Sequence, residues 1–422
     1  MKFSALDRQK EIYLNGFAGK QPRIPTSFDK LEAEAKEKAS EEAYAYIAGG
    51  ASMQTTVDNN REGFRKLRIR PRMLRDVSER DTSIELFGRK LPSPLLLAPV
   101  GALELVHKEA DKAVSKAAAS LGLPMIFSNQ AAFSMEDCSA VMGDSPRWFQ
   151  LYWSKSDDLV VSFLERAEAC GCEAIVVTLD TTMLGWRPMD LDLGHLPFSV
   201  AKGLGQYVSD PVFQRIVRET WEKGGLETPP GFTFTKLFNF LRQVANYKGG
   251  GSFLQKAKTK FPLVGVRTFT DIYSRPSITW DDLPFLREHT KLPIILKGIL
   301  RGDDAKLALD QGVDGIIVSN HGGRQVGGAI ASIDALPEVV AAVDGKVPVL
   351  MDSGIRDGSD VFKALALGAK AACVGRPFAY ALALAGEQGV YELLANMMAE
   401  FELTMGLSGC ASVSEIGSDL LG

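Results

Sequence analysis

From Pro94 onward the chain alternates short apolar runs with longer amphipathic stretches. The runs are LLLAPVG (95–101), PMIFS (124–128), RWFQLY (147–152), AIVVTLD (174–180), PIILKGI (293–299), GIIVSN (315–320), VPVLMDSGI (347–355) and AACVGRP (371–377). Each is rich in aliphatic and β-branched residues and too short for an ordinary helix, as expected of strands buried on both faces. Between them KEADKAVSKAAASLG, DDLVVSFLERAEACG, DDAKLALDQG and GSDVFKALALGA have helical spacing. Eight strands that each lead into a helix predict a (β/α)₈ barrel, an α/β fold of the TIM type. A doubly wound sheet alternates in the same way. It would carry a G-x-G-x-x-G turn after an early strand, and none follows the first run.

Two regions break the rhythm. The first 90 residues are charged and mixed. Within them Leu31 to Ile47 has helical spacing and meets a stop at Gly49-Gly50. Residues 1–90 are therefore expected to be an N-terminal helical segment packing on a barrel formed by 91–422. The second region is a long insert after strand four, about 185–274. It holds the loop-like GGLETPPG and NYKGGGSF around the helical FTKLFNFLRQVANY. At this face of a barrel such an insert is either a lid over the mouth or a variable surface loop.

Composition narrows the class. With 45% hydrophobic and 24% charged residues the chain reads as an ordinary globular protein. A net charge of −4 gives no general attraction to nucleic acid or anionic lipid. No apolar run reaches the roughly 20 residues of a membrane span. The opening MKFSALDRQKEIYLNG lacks the apolar core of a signal peptide, and SDLLG is not a peroxisomal address. Five irregularly spaced cysteines argue against a disulfide framework, and Cys170-Gly-Cys172 is read as structural. Four histidines make a multi-histidine metal site a poor fit. The expectation is a cytoplasmic protein with no metal, nucleic acid or membrane partner.

Polar residues gather at the C-terminal ends of the runs: Tyr152, Asp180, Lys297, His321, Asp352 and Arg376. Barrel enzymes build their sites there. In Ser319-Asn320-His321-Gly322-Gly323-Arg324-Gln325 a neutral imidazole can take a proton, and a guanidinium three residues on can grip a carboxylate. Asp180 can orient His321 or pair with an arginine. Lys297 can form a Schiff base or hold negative charge on a cofactor ring. Asp352-Ser353-Gly354-Ile355-Arg356 and Gly375-Arg376 follow the last two strands, where barrels often bind phosphate.

In this order LKG, SNHGGRQ, DSGIR and GRP resemble the FMN-dependent L-2-hydroxy acid oxidase family, from about Phe28 to Leu407. The resemblance implies FMN as cofactor, a small 2-hydroxy acid and O₂ as partners, and a homo-oligomer, tetramer or octamer. It makes His321 the base, Asp180 its partner, and Arg324, Arg187, Tyr46 and Tyr152 the substrate-binding groups. By the same resemblance Pro99, Val100 and Gly101 are expected to lie along the flavin, Ser128, Gln150 and Thr178 to hydrogen-bond its ring, and Lys297 to sit beside N1 and O2 with Ser319 nearby. Asp352, Ser353, Gly354, Ile355, Arg356, Gly375 and Arg376 are expected to take the ribityl chain and phosphate.

TLDTTMLGWRPMDL (178–191) and PFSVAKGLGQYVSDPVFQ (197–214) resemble the lactate 2-monooxygenase branch of that family. That branch implies L-lactate, with the keto acid retained and converted to acetate, CO₂ and water. The alternatives are release of keto acid and hydrogen peroxide, or electron transfer to a quinone or cytochrome. Two positions depart from the common pattern. Gly101 stands where many members have alanine, which removes a methyl group beside the flavin and changes the room for product and oxygen. Gln130 stands where small-substrate members often have an aromatic residue. The insert is also longer than expected for the bacterial enzyme.

Overall fold

Residues 28–48 form two helices where the spacing of Leu31–Ile47 predicts one. After α1 (Ala5–Phe17), α2 spans Phe28–Lys38 and α3 spans Glu41–Ala48. Between them Ala39 and Ser40 are extended, and Ser40 Oγ accepts from the Ala43 N–H. Ser40 followed by two glutamates is an N-cap signal strong enough to restart the helix. As expected, α3 stops at Gly49. The computed structural model describes residues 4–224 and 233–422, so most of GGLETPPG lies outside the described residues.

After α4 (Thr55–Lys66) the chain runs without helix or ladder strand to 84, and 84–91 form an antiparallel hairpin of β1 (Ile84–Leu86) and β2 (Arg89–Leu91). The eight runs then appear as β3 (Leu95–Leu97), β4 (Met125–Phe127), β5 (Arg147–Leu151), β6 (Ile175–Thr178), β7 (Ile294–Ile299), β8 (Gly315–Val318), β9 (Val349–Met351) and β10 (Ala371–Val374). They close into a parallel barrel in chain order, with β10 paired to β3. The fold is a (β/α)₈ barrel, as the pattern predicts.

Side chains alternate across each strand, so one set points inward. Leu96, Ile126, Trp148, Val176, Ile295, Ile317, Leu350 and Cys373 fill the interior, which Ile84, Leu86 and Leu91 of the hairpin seal. The outward set, such as Leu97, Phe149 and Val177, packs on the surrounding helices. Two residues beyond each interior residue comes the next inward position, at the C-terminal mouth. Those positions are Ala98, Ser128, Gln150, Thr178, Lys297, Ser319, Asp352 and Gly375. Strand period therefore delivers a ring of mostly polar groups above an apolar plug.

Four helices complete the early and late barrel units: α5 (Ala110–Ser120), α6 (Met135–Met142), α7 (Asp157–Ala169) and, after the insert, α14 (Leu283–His289). The insert itself carries α8 (Pro188–Asp192), α9 (Gly205–Val208), α10 (Pro211–Glu222), α11 (Phe234–Asn246), α12 (Phe253–Thr259) and α13 (Phe261–Ile272). Its described part packs on the barrel: Phe198, Tyr207, Phe213 and Phe269 are buried, and the Tyr207 hydroxyl donates to Asn129. Its two ends are tied by Ser274 Oγ donating to the Thr182 carbonyl at 2.9 Å. The barrel ends with α15 (Gly302–Asp310), α16 (Ser332–Val343), α17 (Gly358–Ala366) and α18 (Arg376–Leu407), the last broken at Ala385–Gly386. No described helix is long and apolar enough to cross a membrane.

Candidate active site

A cavity opens at the C-terminal mouth of the barrel. His321 lies on its wall, just after β8, with φ at +59°, a left-handed conformation that costs energy for a residue with a side chain. Nδ1 of His321 is 2.7 Å from Oδ1 of Asp180, and Thr181 Oγ1 donates to the same carboxylate oxygen at 3.0 Å. Burial would raise the Asp180 pKa, but His321 and Lys297 outweigh it and hold Asp180 at about 2. Burial lowers the His321 pKa, and Asp180 only partly restores it. At neutral pH the pair is thus an ionised carboxylate and a neutral imidazole. A carboxylate accepts only, so Nδ1 carries the proton and Nε2 is left basic.

Lys297 ends up 3% exposed. Its Nζ donates to Ser319 Oγ at 2.9 Å and lies 3.2 Å from Asp352 Oδ2. Desolvation would lower its pKa, yet Asp352 and Asp180 outweigh that and raise it. A lysine held so firmly as ammonium is a poor nucleophile, so the Schiff-base alternative falls away. Asp180 pairs with His321 and not with an arginine. Gln150, Ser128 and Thr178 form a chain: Ser128 Oγ donates to Gln150 Oε1 at 3.2 Å, and Gln150 Nε2 donates to Thr178 Oγ1 at 3.0 Å.

Above the ring, Arg187 and Arg324 face the same cavity as Tyr46 and Tyr152. Arg324 stacks on the Tyr46 ring at 4.9 Å and donates to the carbonyls of Tyr46 and Gly49. Burial, aided by Arg324, brings the Arg187 pKa down to about 10. Burial lifts the Tyr152 pKa to about 12, so its hydroxyl keeps its proton. Leu184 and Tyr273, from the two ends of the insert, complete the wall; neither is among the residues the sequence singles out.

Pro99, Val100 and Gly101 line one side, and Asp352 through Arg356 with Gly375 and Arg376 line another. Arg356 is buried and its Nε has no partner. Burial also depresses the Arg376 pKa to about 9. Among the described residues, five cationic side chains (Arg187, Lys297, Arg324, Arg356 and Arg376) share a cavity in which Asp352 is the one acidic side chain on the wall. That imbalance and the orphaned Nε fit a phosphate-bearing cofactor, with Lys297 placed to meet negative charge on its ring. Arg376 does a second job the sequence does not reveal. It donates to the carbonyls of Ile47, Gly322 and Gly49, tying the end of α3 to the barrel mouth.

Asp180, Gln150, Thr178 and Ser319 stand one layer behind the wall and act through the residues they touch. Gly101 lines the cavity, but its β-carbon direction is crowded. A methyl group there would meet Gln130 Cβ at 3.0 Å and the Gln130 carbonyl oxygen at 3.1 Å. The volume such a methyl would occupy lies against the loop after β4.

The model of the FMN-dependent dehydrogenase family matches residues 35–422. The chain belongs to the FMN-dependent dehydrogenase family. Its cofactor is FMN, and its chemistry is oxidoreduction. Among its relatives is an L-lactate oxidase of Lysinibacillus sphaericus (strain C3-41), 40% identical over 96% of this chain and 94% of that one. An FMN-dependent alpha-hydroxy acid dehydrogenase of Penicillium citrinum is 39% identical over 98% and 94%. A crystal structure of mandelate oxidase superposes with a TM-score of 0.73 at 34% identity, covering 94% of this chain and 98% of that one.

Proposed function

We propose that this FMN-dependent oxidoreductase oxidises a small L-2-hydroxy acid, L-lactate first, with O₂ as acceptor. The observation that carries the reading is the His321–Asp180 pair at 2.7 Å, opening on a cavity that also holds Arg187 and Arg324. The two guanidiniums take the substrate carboxylate. The Tyr152 hydroxyl, kept protonated, donates to the substrate oxygen. Nε2 of His321 then takes a proton from the substrate, and Asp180 stabilises the imidazolium that results. FMN, when bound, accepts the two electrons. Lys297, held as an ammonium in the cavity wall, would offset negative charge on the reduced cofactor.

On this reading the keto acid is retained, giving acetate, CO₂ and water from L-lactate and O₂. Leu184, Arg187 and Tyr273 wall the substrate end of the cavity and support retention. A second reading, release of pyruvate and hydrogen peroxide, is favoured by the Gln130 loop lying against Gly101 and by relatives named as oxidases. Aerobic turnover of L-lactate, with acetate, pyruvate and peroxide assayed together, separates the two. Acetate without free peroxide supports retention. Pyruvate with equal peroxide overturns it and leaves the oxidase. Neither product overturns L-lactate as the substrate.

A further inference from the structure

The loop after β6 and the loop after β8 lie flush against each other. At Gly185 a β-carbon would stand 2.4 Å from the Arg324 carbonyl oxygen and 2.9 Å from Gln325 Cα. One side chain joins the two loops. Gln325 Nε2 donates to the carbonyls of Asp180 at 2.6 Å and Met183 at 2.9 Å. Its Oε1 accepts from Arg187 Nη2 at 2.9 Å and from the Gly185 N–H at 3.3 Å. Both amide donors and the carbonyl oxygen are in use, and every partner lies within 180–187.

We infer that Gln325 is a positioning residue that aims Arg187 at the substrate carboxylate. The inference rests on the proposed role of Arg187. Arg187 is 5% exposed and has the Arg324 charge beside it, so it needs acceptors to stay where it is. It has two: Gln325 Oε1, and the Arg324 carbonyl at 3.1 Å from Nε. Both are neutral. An amide therefore holds the guanidinium without cancelling its charge, which stays available to an incoming acid. A carboxylate at 325 would hold Arg187 equally well but neutralise it. The same amide fixes the Asp180 carbonyl, so the backbone carrying the partner of His321 and the side chain holding the substrate share one anchor.

The test is a double-mutant cycle on the FMN-loaded enzyme with Gln325→Met, which keeps the volume and removes the amide, and Arg187→Met. KM and kcat for L-lactate are read together with the Kd of oxalate, a small acid with no C–H bond to oxidise. FMN content and Tm check that each variant is folded. Gln325→Met is expected to raise KM and the oxalate Kd about tenfold while kcat stays within about threefold. In the Arg187→Met background it is expected to add almost nothing. If Arg187→Met leaves oxalate binding unchanged, the proposed role of Arg187 fails, and this inference with it. If Arg187→Met weakens binding but Gln325→Met does not, or adds its full effect in that background, the role of Arg187 stands and the positioning role of Gln325 is overturned.

Discussion

Nδ1 of His321 and Oδ1 of Asp180 sit 2.7 Å apart, and Thr181 Oγ1 lies 3.2 Å from that nitrogen. The carboxylate fixes which nitrogen carries the proton and raises the His321 pKa against the lowering by burial. Asp180→Asn removes the charge and keeps the shape. kcat/KM for L-lactate is expected to fall about 10² to 10⁴-fold. The active form has a neutral imidazole, so activity rises with pH through the His321 pKa, which lies below its ordinary value. Loss of Asp180 removes a raising influence, so the acid limb is expected to move to lower pH as the plateau drops. A pH profile of kcat/KM checks both; a limb that moves to higher pH contradicts the pairing.

Gly101→Ala puts a methyl group against Gln130 Cβ and carbonyl, at 3.0 and 3.1 Å. Crowding of this kind costs about 1–3 kcal/mol when backbone must give, so a lower Tm is expected. The loop that yields carries Gln130, a cavity-wall residue. The ratio of acetate to pyruvate is expected to fall as the wall moves. An unchanged ratio would mean that this contact plays no part in retaining the keto acid.

Arg356 and Arg376 bring buried positive charge to the end of the cavity proposed to hold the FMN phosphate. Arg356→Gln is expected to weaken FMN binding by about 2 kcal/mol, roughly thirtyfold in Kd, as read by flavin fluorescence on dilution. Removing FMN is expected to lower Tm, and inorganic phosphate to restore part of it where chloride at equal ionic strength does not. Equal effects of the two salts would argue against a phosphate site there.

Much of this was legible in the chain. The barrel strands stood out because each is a continuous apolar run, and the mouth residues followed because they end those runs. The Ser40 break was missed because helical spacing carries on across it, although Ser40-Glu41-Glu42 is a capping signal. The β1–β2 hairpin is hidden because IEL and RKL carry charged, solvent-facing residues and form no continuous apolar run. What surrounds Gly101 is not legible in sequence, because a glycine announces missing volume, not its neighbours, and only the fold brings the Gln130 carbonyl there. Thr181 and Gln325 sit next to residues that were singled out, but their hydrogen bonds join loops about 140 positions apart. Arg376 reads as a phosphate ligand in sequence, and its three bonds to carbonyls appear only when α3 is folded onto the mouth.

The central claim is that Nε2 of His321 takes the proton when a 2-hydroxy acid is oxidised. The most direct measurement is anaerobic mixing of FMN-loaded protein with L-lactate, following the flavin absorbance in wild type and in His321→Gln. Rapid loss of the oxidised flavin band is expected in wild type, and none on the same timescale in His321→Gln, which should still bind FMN. Equally rapid loss in both would contradict it.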